Sequence, residues 1–249
     1  MKDNMNLTEK TVVITGASKG LGRELALNLS KSCSNLVLLA RSIDLLEILK
    51  SEIVSKGGNS PTIIKCDISE EEDVKYAAKT IQLKFRKVDI LINNAGIANH
   101  KLSEKISYNE MRNQFKVNFF GAFYCINEFL PLLKTNKTGY ILNVGSLVSN
   151  ISFEDNSVYS ATKSALKRYT EGLRLELKKY NIGVGLLQSG VMDTSFNDDR
   201  SNEDKVPSFM VIKVEKVVNR ILKMIEQRES NVKMYEWMLL MMRLKKLVA

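Results

Sequence analysis

Short apolar segments recur along the chain, and a segment with helical character separates each one from the next. Most of them carry few or no charged residues, which is typical of strands buried on both faces of a parallel sheet. The predicted strands are residues 11–15, 35–40, 61–67, 88–96, 139–145, 181–190 and 231–235. Strands that alternate with helices in this way predict an α/β fold.

The predicted helices cover the sequence between these strands. They are residues 21–33, 44–56, a helix capped by Ser69, and then 104–117, 119–134, 157–180 and 213–229. A length of 249 residues fits one large domain better than two, and no linker or repeat divides the chain. We expect a single Rossmann-type domain over residues 1–249, a doubly wound parallel sheet of about seven strands with helices on both faces. Residues 191–212 are predicted to form a lid, and residues 236–249 are predicted to form an apolar tail.

Composition narrows the possible functions. The net charge of +9 could indicate an anionic partner, but the lysines are scattered without interleaved aromatic residues, so a solvated surface is favoured over nucleic-acid binding. Three widely spaced cysteines without a CxxC pair, a polar start and no membrane-length apolar run predict a cytoplasmic protein. The chain has one histidine, His100, which is predicted to lie on the surface. Because no cluster of residues has the spacing of metal ligands, no metal site is expected.

A glycine-rich turn, residues 15–22, follows the first predicted strand and opens the first helix. Its glycines, at positions 16, 20 and 22, are not spaced as in the usual dinucleotide fingerprint. The physical consequence is the same, because small residues let the backbone approach a pyrophosphate while the helix N-terminus presents free N–H groups to it. The turn therefore predicts a dinucleotide site.

The residue after the second strand bears on which nucleotide binds there. An acidic residue would accept a hydrogen bond from the ribose 2′-hydroxyl of NAD, whereas this chain has Arg41. A guanidinium can form two hydrogen bonds to a 2′-phosphate, and Lys19 in the glycine turn adds a second positive charge. This favours NADP(H), with NAD(H) possible. The alternative is that both residues are solvated surface charges.

Two further strand ends carry polar residues. Asp67 ends the third strand, where it could accept from the adenine amino group or cap the turn before the next helix. Asn93, Asn94, Ala95 and Gly96 end the fourth strand, and they suit either a cofactor wall or a brace between strands.

Tyr159 and Lys163 are four residues apart on a predicted helix, and Ser146 ends the fifth strand. A phenol has a pKa of about 10, and lowering it to near neutrality takes about 4 kcal/mol, which a nearby ammonium can help supply. The serine hydroxyl could hold a substrate oxygen beside the tyrosine. Alone, a YxxxK pair is common on amphipathic helices, so its meaning depends on the dinucleotide site.

These motifs, in this order, resemble the short-chain dehydrogenase/reductase superfamily over nearly the whole chain. The TGASKGLG turn, NNAG, Asn118 in KVN, Ser146 and YSATK are similar to the motifs of that family. The resemblance implies that Tyr159 is the general acid/base, that Lys163 lowers its pKa and binds the nicotinamide ribose, that Ser146 polarises the substrate oxygen, and that Asn118 holds a relay water. The implied cofactor contacts are Gly16, Ser18, Lys19, Gly20, Leu21, Gly22, Arg41, Asp67, Ile68, Asn94, Ala95, Gly96, Tyr159, Lys163, Gly190, Val191 and Thr194.

The chain departs from the family pattern at two places. Ser189 precedes Gly190 where the family often has proline, although Val191 and Thr194 follow as expected. Residues 235–249 replace the Asp-Gly-Gly ending of many bacterial members with an apolar stretch followed by basic residues. This tail could pack on the substrate lobe or a partner subunit, or dock on a membrane surface. Met192, Phe196, Phe209 and Met210 could line a greasy pocket or fill core.

The sequence thus predicts an NADP(H)-dependent oxidoreductase acting on CH–OH donors, which interconverts a small-molecule carbonyl and an alcohol, with a lipophilic substrate expected. The alternatives are a 3-oxoacyl-carrier-protein reductase and a non-catalytic dinucleotide-sensing or membrane-surface protein. By resemblance, helices in residues 104–134 and 157–180 form the contacts of a homodimer or homotetramer.

Overall fold

The computed structural model describes residues 5–33, 35–136, 138–194 and 211–234. Seven strands form one sheet in the order β3-β2-β1-β4-β5-β6-β7, and all neighbouring strands are parallel. The strands are β1 (Thr11–Thr15), β2 (Asn35–Ala40), β3 (Thr62–Lys65), β4 (Ile90–Asn93), β5 (Gly139–Ser146), β6 (Ile182–Ser189) and β7 (Asn231–Lys233). This confirms the predicted α/β, doubly wound parallel sheet.

Helices cover both faces of the sheet. They are α1 (Gly20–Leu29), α2 (Ile43–Ser55), α3 (Glu71–Phe85), α4 (Tyr108–Phe115), α5 (Gly121–Lys134), α6 (Ser157–Leu177) and α7 (Val214–Gln227). Side chains alternate between the faces along each strand, so β1 sends Val12 and Ile14 into one core and Val13 into the other. Helices α1, α2 and α7 cover the first core, and α3, α5 and α6 cover the second.

The strand order reverses beside β1, whose neighbours are β2 on one side and β4 on the other. Ligands of open α/β sheets bind at this switch point, outside the carboxyl ends of the strands. The glycine-rich turn follows β1 and the NNAG segment follows β4, so both lie at this crevice. The fold therefore places the predicted dinucleotide motifs together.

The predicted pair of helices at residues 104–117 and 119–134 is in fact one continuous helical rod. It begins later than predicted, at Tyr108, because Ser107 and Glu110 form a reciprocal capping box. It then passes through a π-helical segment, Lys116–Phe120, directly into α5. Such single π turns occur often at functional sites, and this one contains Asn118.

Three other predictions about helix ends were wrong. The α1 helix ends at Leu29 rather than Cys33, where the chain turns and the N–H groups of Ser32 and Cys33 donate to the Leu29 carbonyl. Glu70, not Ser69, occupies the N-cap position of α3, because the Ser69 hydroxyl donates a hydrogen bond to Asp67 Oδ1 instead. The α6 helix ends at Leu177, and a 3₁₀ turn at Lys178–Tyr180 replaces its last predicted residues. Most of the predicted lid, including Phe196, Phe209 and Met210, and all of the apolar tail lie outside the described residues.

None of the helices in the described ranges combines the length and the hydropathy that a bilayer-crossing segment needs.

Candidate functional site

Two glycines of the glycine-rich turn, Gly16 and Gly22, leave no room for a side chain where the turn packs against the segment after β4. Gly16 has a φ of +64°, and a Cβ built on it would lie 2.8 Å from the Cα of Ala95. A Cβ on Gly22 would lie 2.3 Å from the carbonyl oxygen of Gly16. Any larger residue at either position would push the turn away from β4, so the glycines hold α1 close to the carboxyl edge of the sheet.

The N-terminus of α1 is suited to an anion. Lys19 occupies the N-cap position in an extended conformation and its side chain makes no capping hydrogen bond. The first turn contains no acidic residue. The N-cap side chain therefore does not occupy the first N–H groups, and these groups with the positive end of the helix dipole form the arrangement that binds a pyrophosphate. The residues of this turn therefore fit a dinucleotide.

The NNAG segment braces the glycine turn. Thr15 Oγ1 accepts hydrogen bonds from the backbone N–H groups of Asn94, at 3.0 Å, and Ala95, at 3.1 Å. The Asn94 side-chain amide donates in return to the carbonyl of Thr15, at 2.9 Å. The preceding Asn93 donates to Asn143 Oδ1 on β5, at 2.8 Å. These bonds are those of a brace between strands, and they hold Asn94 and Ala95 against the glycine turn.

Two exposed cations lie at the carboxyl ends of β1 and β2, in the turns that follow these strands. Arg41 directly follows β2, and Lys19 lies in the glycine turn, which is tied to β2 by a hydrogen bond from the Ala17 N–H to the Leu39 carbonyl, at 3.2 Å. Neither cation pairs with an acidic residue in the described ranges. Nearby Arg23, in contrast, is neutralised by Glu24 and Glu52.

Asp67 and Ile68 follow β3. Asp67 Oδ1 accepts from the N–H of Ser69, at 3.0 Å, and from its hydroxyl, at 2.8 Å, so the turn-capping role is present. Ile68 is buried against the π-helical rod, where its Cδ1 lies 2.6 Å from a Cβ built on Gly121. The close approach fixes this end of β3 relative to α5.

Lys163 is 4 % exposed, and its ammonium donates a hydrogen bond to the carbonyl of Val144 on β5, at 3.0 Å. Burial disfavours the charged form and lowers the pKa of Lys163 to about 8. The same nitrogen lies 5.8 Å from the centre of the Tyr159 ring. The half-buried tyrosine and the ammonium are therefore adjacent, as their spacing on α6 predicts.

Ser146 is the last residue of β5 and is half-buried. Its hydroxyl oxygen accepts a hydrogen bond from the N–H of Val148, at 3.3 Å. Because that contact uses a lone pair, the hydroxyl hydrogen can be donated elsewhere, for example to a substrate oxygen.

Asn118 connects the loop after β4 to the helix that carries Tyr159. Its amide donates to the carbonyl of Ile97, at 2.8 Å, and to Thr162 Oγ1, at 3.0 Å, while its Oδ1 accepts from the Ile97 N–H, at 2.8 Å. Both amide hydrogens are thus used by the protein. A relay water held by Asn118 would have to bind the remaining lone pair of Oδ1 or the main-chain carbonyl.

The segment after β6 returns to the glycine turn. The Cβ of Thr194 would lie 3.5 Å from a Cβ atom added to Gly20, the first residue of α1, so the two residues are neighbours. Met192 pairs with Ile212 in an isolated parallel bridge, and Asp193 accepts from the N–H of Val214, at 2.6 Å. Residues 190–194 are therefore anchored beside the predicted nucleotide crevice.

His100 differs from the sequence prediction. Its side chain is only 4 % exposed, and its Nδ1 lies 3.6 Å from Asp155 Oδ2. Its ring centre lies 6.4 Å from that of Tyr159. The prediction of a surface histidine was wrong, because the loop after β4 folds over the start of α6. The position of His100 just beyond the carboxyl end of a strand was the one signal that could have placed it here.

Comparisons with known proteins agree with this arrangement. The family described as short chain dehydrogenase matches residues 10–205. An uncharacterized oxidoreductase of Staphylococcus saprophyticus is 36% identical over 80% of this chain and 80% of its own. The NADP-dependent 3-hydroxy acid dehydrogenase of Schizosaccharomyces pombe is 32% identical over 80% of this chain and 78% of its own.

A solved structure shares the fold over almost its full length. The alcohol dehydrogenase of the archaeon Thermococcus sibiricus, complexed with 5-hydroxy-NADP, superimposes with a TM-score of 0.83 at 26% identity, covering 91% of this chain and 96% of the other. The family match extends from β1 past the Tyr159/Lys163 helix and includes every predicted motif. The chain belongs to the short-chain dehydrogenase/reductase superfamily, a family of oxidoreductases.

Proposed function

We propose that this protein is an NADP(H)-dependent oxidoreductase that interconverts a carbonyl and an alcohol, with Tyr159 as general acid/base. The observation that carries the proposal is the buried Lys163 ammonium beside the Tyr159 ring, at the sheet edge where the uncapped N-terminus of α1 also lies. Burying a charged amine costs free energy, and an amine buried beside a phenol is explained better by a role in proton transfer than by a purely structural role.

The proposed mechanism divides the work among the chain's own residues. A bound nicotinamide nucleotide supplies the hydride in the reducing direction. Tyr159 donates its phenol proton to the carbonyl oxygen, and Ser146 donates a hydrogen bond to the same oxygen. The Lys163 ammonium favours the resulting phenolate, and the carbonyl of Val144 holds that ammonium in place. Asn118 fixes the loop after β4 against α6 and so preserves the geometry.

Several observations support NADP(H) over NAD(H). Arg41 and Lys19 are exposed cations without acidic partners in the described ranges, beside the expected adenine ribose. The Schizosaccharomyces pombe relative is NADP-dependent, and the archaeal structure holds a derivative of NADP. The alternative, that both cations are ordinary surface residues and NAD(H) binds, predicts no difference between the two nucleotides when Arg41 is replaced.

A lipophilic substrate is proposed because half-buried apolar side chains lie on the segments that follow β5 and β6. Val148 and Ile151 come shortly after Ser146, and Met192 comes shortly after Ser189. Steady-state turnover with NADPH, measured on ketones, 3-oxoacyl thioesters, sterols and sugars, tests the proposal. Absence of turnover on every class, despite nucleotide binding by calorimetry, would favour the non-catalytic alternative.

The rate should depend on pH through Lys163. Burial lowers the pKa of its amine to about 8, so the amine carries its proton below that pH and loses it above. Because the proposed roles need the ammonium, we expect kcat/KM for NADPH, which reports on the free enzyme, to fall above about pH 8 by up to tenfold per pH unit. Circular dichroism over the same range controls for unfolding. A flat profile through this range would contradict the role of Lys163.

We also propose that the protein is a homo-oligomer. Helix α5, the π-helical segment and α6 expose neighbouring aromatic side chains, with Phe120 43 % and Phe123 37 % exposed. The Phe123 ring centre lies 5.7 Å from that of Tyr169, so these rings form a continuous apolar surface. A second copy of the chain is the proposed partner. Membrane contact through the tail stays a prediction.

Charged substitution tests this surface. We expect Phe123→Glu to convert the oligomer to a smaller species, measured by light scattering coupled to gel filtration, because it would bury an unpaired carboxylate between subunits. Ile48→Glu is the matched control, since Ile48 is 63 % exposed on α2, on the opposite face of the sheet. An unchanged mass for Phe123→Glu would exclude this face as the interface.

A further inference from the structure

Gln188 is a fully buried polar residue in a strand that is otherwise apolar up to its last residue. It lies in β6 with 0 % exposure, and in the parallel register it is paired with Gly145, the neighbour of Ser146. A buried amide costs free energy unless it is hydrogen-bonded. Its partners therefore indicate why this position is polar.

Among the residues that the structure describes, the Gln188 side chain forms hydrogen bonds to two neighbouring segments. Its Oε1 accepts from Ser149 Oγ, at 2.9 Å, and from the side-chain amide of Asn150, at 2.5 Å. Its Nε2 donates to Asn231 on β7, at 3.1 Å. Ser149 and Asn150 belong to the turn that begins at Ser146. Gln188 thus binds the Ser146 turn to the adjacent strands.

The same turn is held from the other side by α6. The Ser149 hydroxyl also lies 2.7 Å from the carbonyl oxygen of Ser146, while the Ser149 carbonyl accepts from Ser164 Oγ, at 3.2 Å. Asn150 Oδ1 accepts from the Lys167 ammonium, at 2.7 Å. Ser164 and Lys167 lie one residue and one helical turn beyond Lys163. The network therefore joins the backbone of Ser146 to the helix that carries Tyr159 and Lys163.

We propose that Gln188 is a positioning residue, which fixes Ser146 relative to Tyr159 by holding the turn at Ser149 and Asn150. This inference rests on the proposed function, because it acts through the substrate contact assigned to Ser146. An error of about 1 Å in the placement of a reacting group can cost about 100-fold in rate. Without the Gln188 carbonyl, the turn loses its side-chain hydrogen bonds to β6 while keeping those to α6, so it can shift relative to the sheet.

A double-mutant cycle separates positioning from general damage. We expect Gln188→Leu to lower kcat/KM for the carbonyl about 10- to 100-fold in the wild-type background, with the NADPH Kd changed less than about threefold. In the Ser146→Ala background it should lower kcat/KM by less than about threefold, because the group it positions is already absent. Equal factors in both backgrounds, or no effect in the wild type, would overturn the proposal.

Two further variants keep the test decisive. Gln114→Leu is the matched control, because Gln114 is also a fully buried glutamine but lies on α4 and accepts from the N–H of Asn99, not from the Ser146 turn. It should change kcat/KM less than about threefold, and equally in both backgrounds. If Gln188→Leu does not fold, Ser149→Ala removes the hydroxyl between Gln188 and the Ser146 carbonyl and enters the same cycle. If Ser146→Ala itself retains full activity, the substrate contact assigned to Ser146 fails and the positioning role fails with it. Full activity in Gln188→Leu together with a large loss in Ser146→Ala would overturn the positioning role alone.

Discussion

Replacing Tyr159 with phenylalanine should lower kcat by about 10²- to 10⁴-fold and leave the NADPH Kd within about twofold of the wild type. The substitution removes one hydroxyl and keeps the ring, so packing against His100 and Lys163 is preserved. The loss would fall on kcat because the proton is needed when negative charge develops on the substrate oxygen. Pre-steady-state turnover and isothermal calorimetry measure the two quantities independently.

Tyr169→Phe is the matched control for this variant. Tyr169 lies further along the same helix, where burial raises the pKa of its phenol to about 12, and it contacts Phe119 and Phe123 rather than the crevice. It should retain kcat within about twofold of the wild type. Wild-type kcat in Tyr159→Phe would show that another group donates the proton. A matching loss of NADPH binding would instead assign Tyr159 to the cofactor site.

The sheet could be predicted because each strand of a doubly wound fold is a local apolar run. The predicted bounds of β1 and β2 agree with the structure to the residue, since a glycine turn or charged residue ends each run. The meeting of the glycine turn with NNAG was predictable for the same reason, because parallel strands bring their carboxyl ends to one edge. The proximity of Tyr159 and Lys163 could be predicted from helical periodicity alone, because residues four apart lie on the same face of a helix.

Features that depend on contacts between distant segments could not be predicted. The π-helical turn at Asn118 is favoured by hydrogen bonds to Ile97 and Thr162, which local propensity does not encode. The burial of His100 depends on the loop after β4 closing over α6 beside Asp155. Gln188 is visible in the sequence as one polar residue in an apolar strand, yet its partners lie 38 and 39 residues away.

Arg41→Ala should raise KM for NADPH about 10- to 100-fold and change KM for NADH less than about threefold. A guanidinium donating two charge-assisted hydrogen bonds to a 2′-phosphate is worth about 1.5–3 kcal/mol, and each 1.4 kcal/mol is a factor of ten. NADH lacks that phosphate, so it loses nothing when the cation is removed. Lys19→Ala should show the same selectivity with a smaller factor, because an ammonium binds phosphate as a point charge.

Measuring KM for both nucleotides distinguishes the loss of a contact to the 2′-phosphate from general damage to the site. Arg23→Ala is the matched control, because Arg23 is near the same turn but is already neutralised by Glu24 and Glu52, so it should affect both nucleotides equally. Arg41→Asp extends the test, since a carboxylate would repel a 2′-phosphate and accept a hydrogen bond from the 2′-hydroxyl of NADH. That variant should therefore reverse the preference. Equal changes in KM for both nucleotides in Arg41→Ala would mean that Arg41 is a solvated surface charge and that the preference for NADP(H) lies elsewhere or is absent.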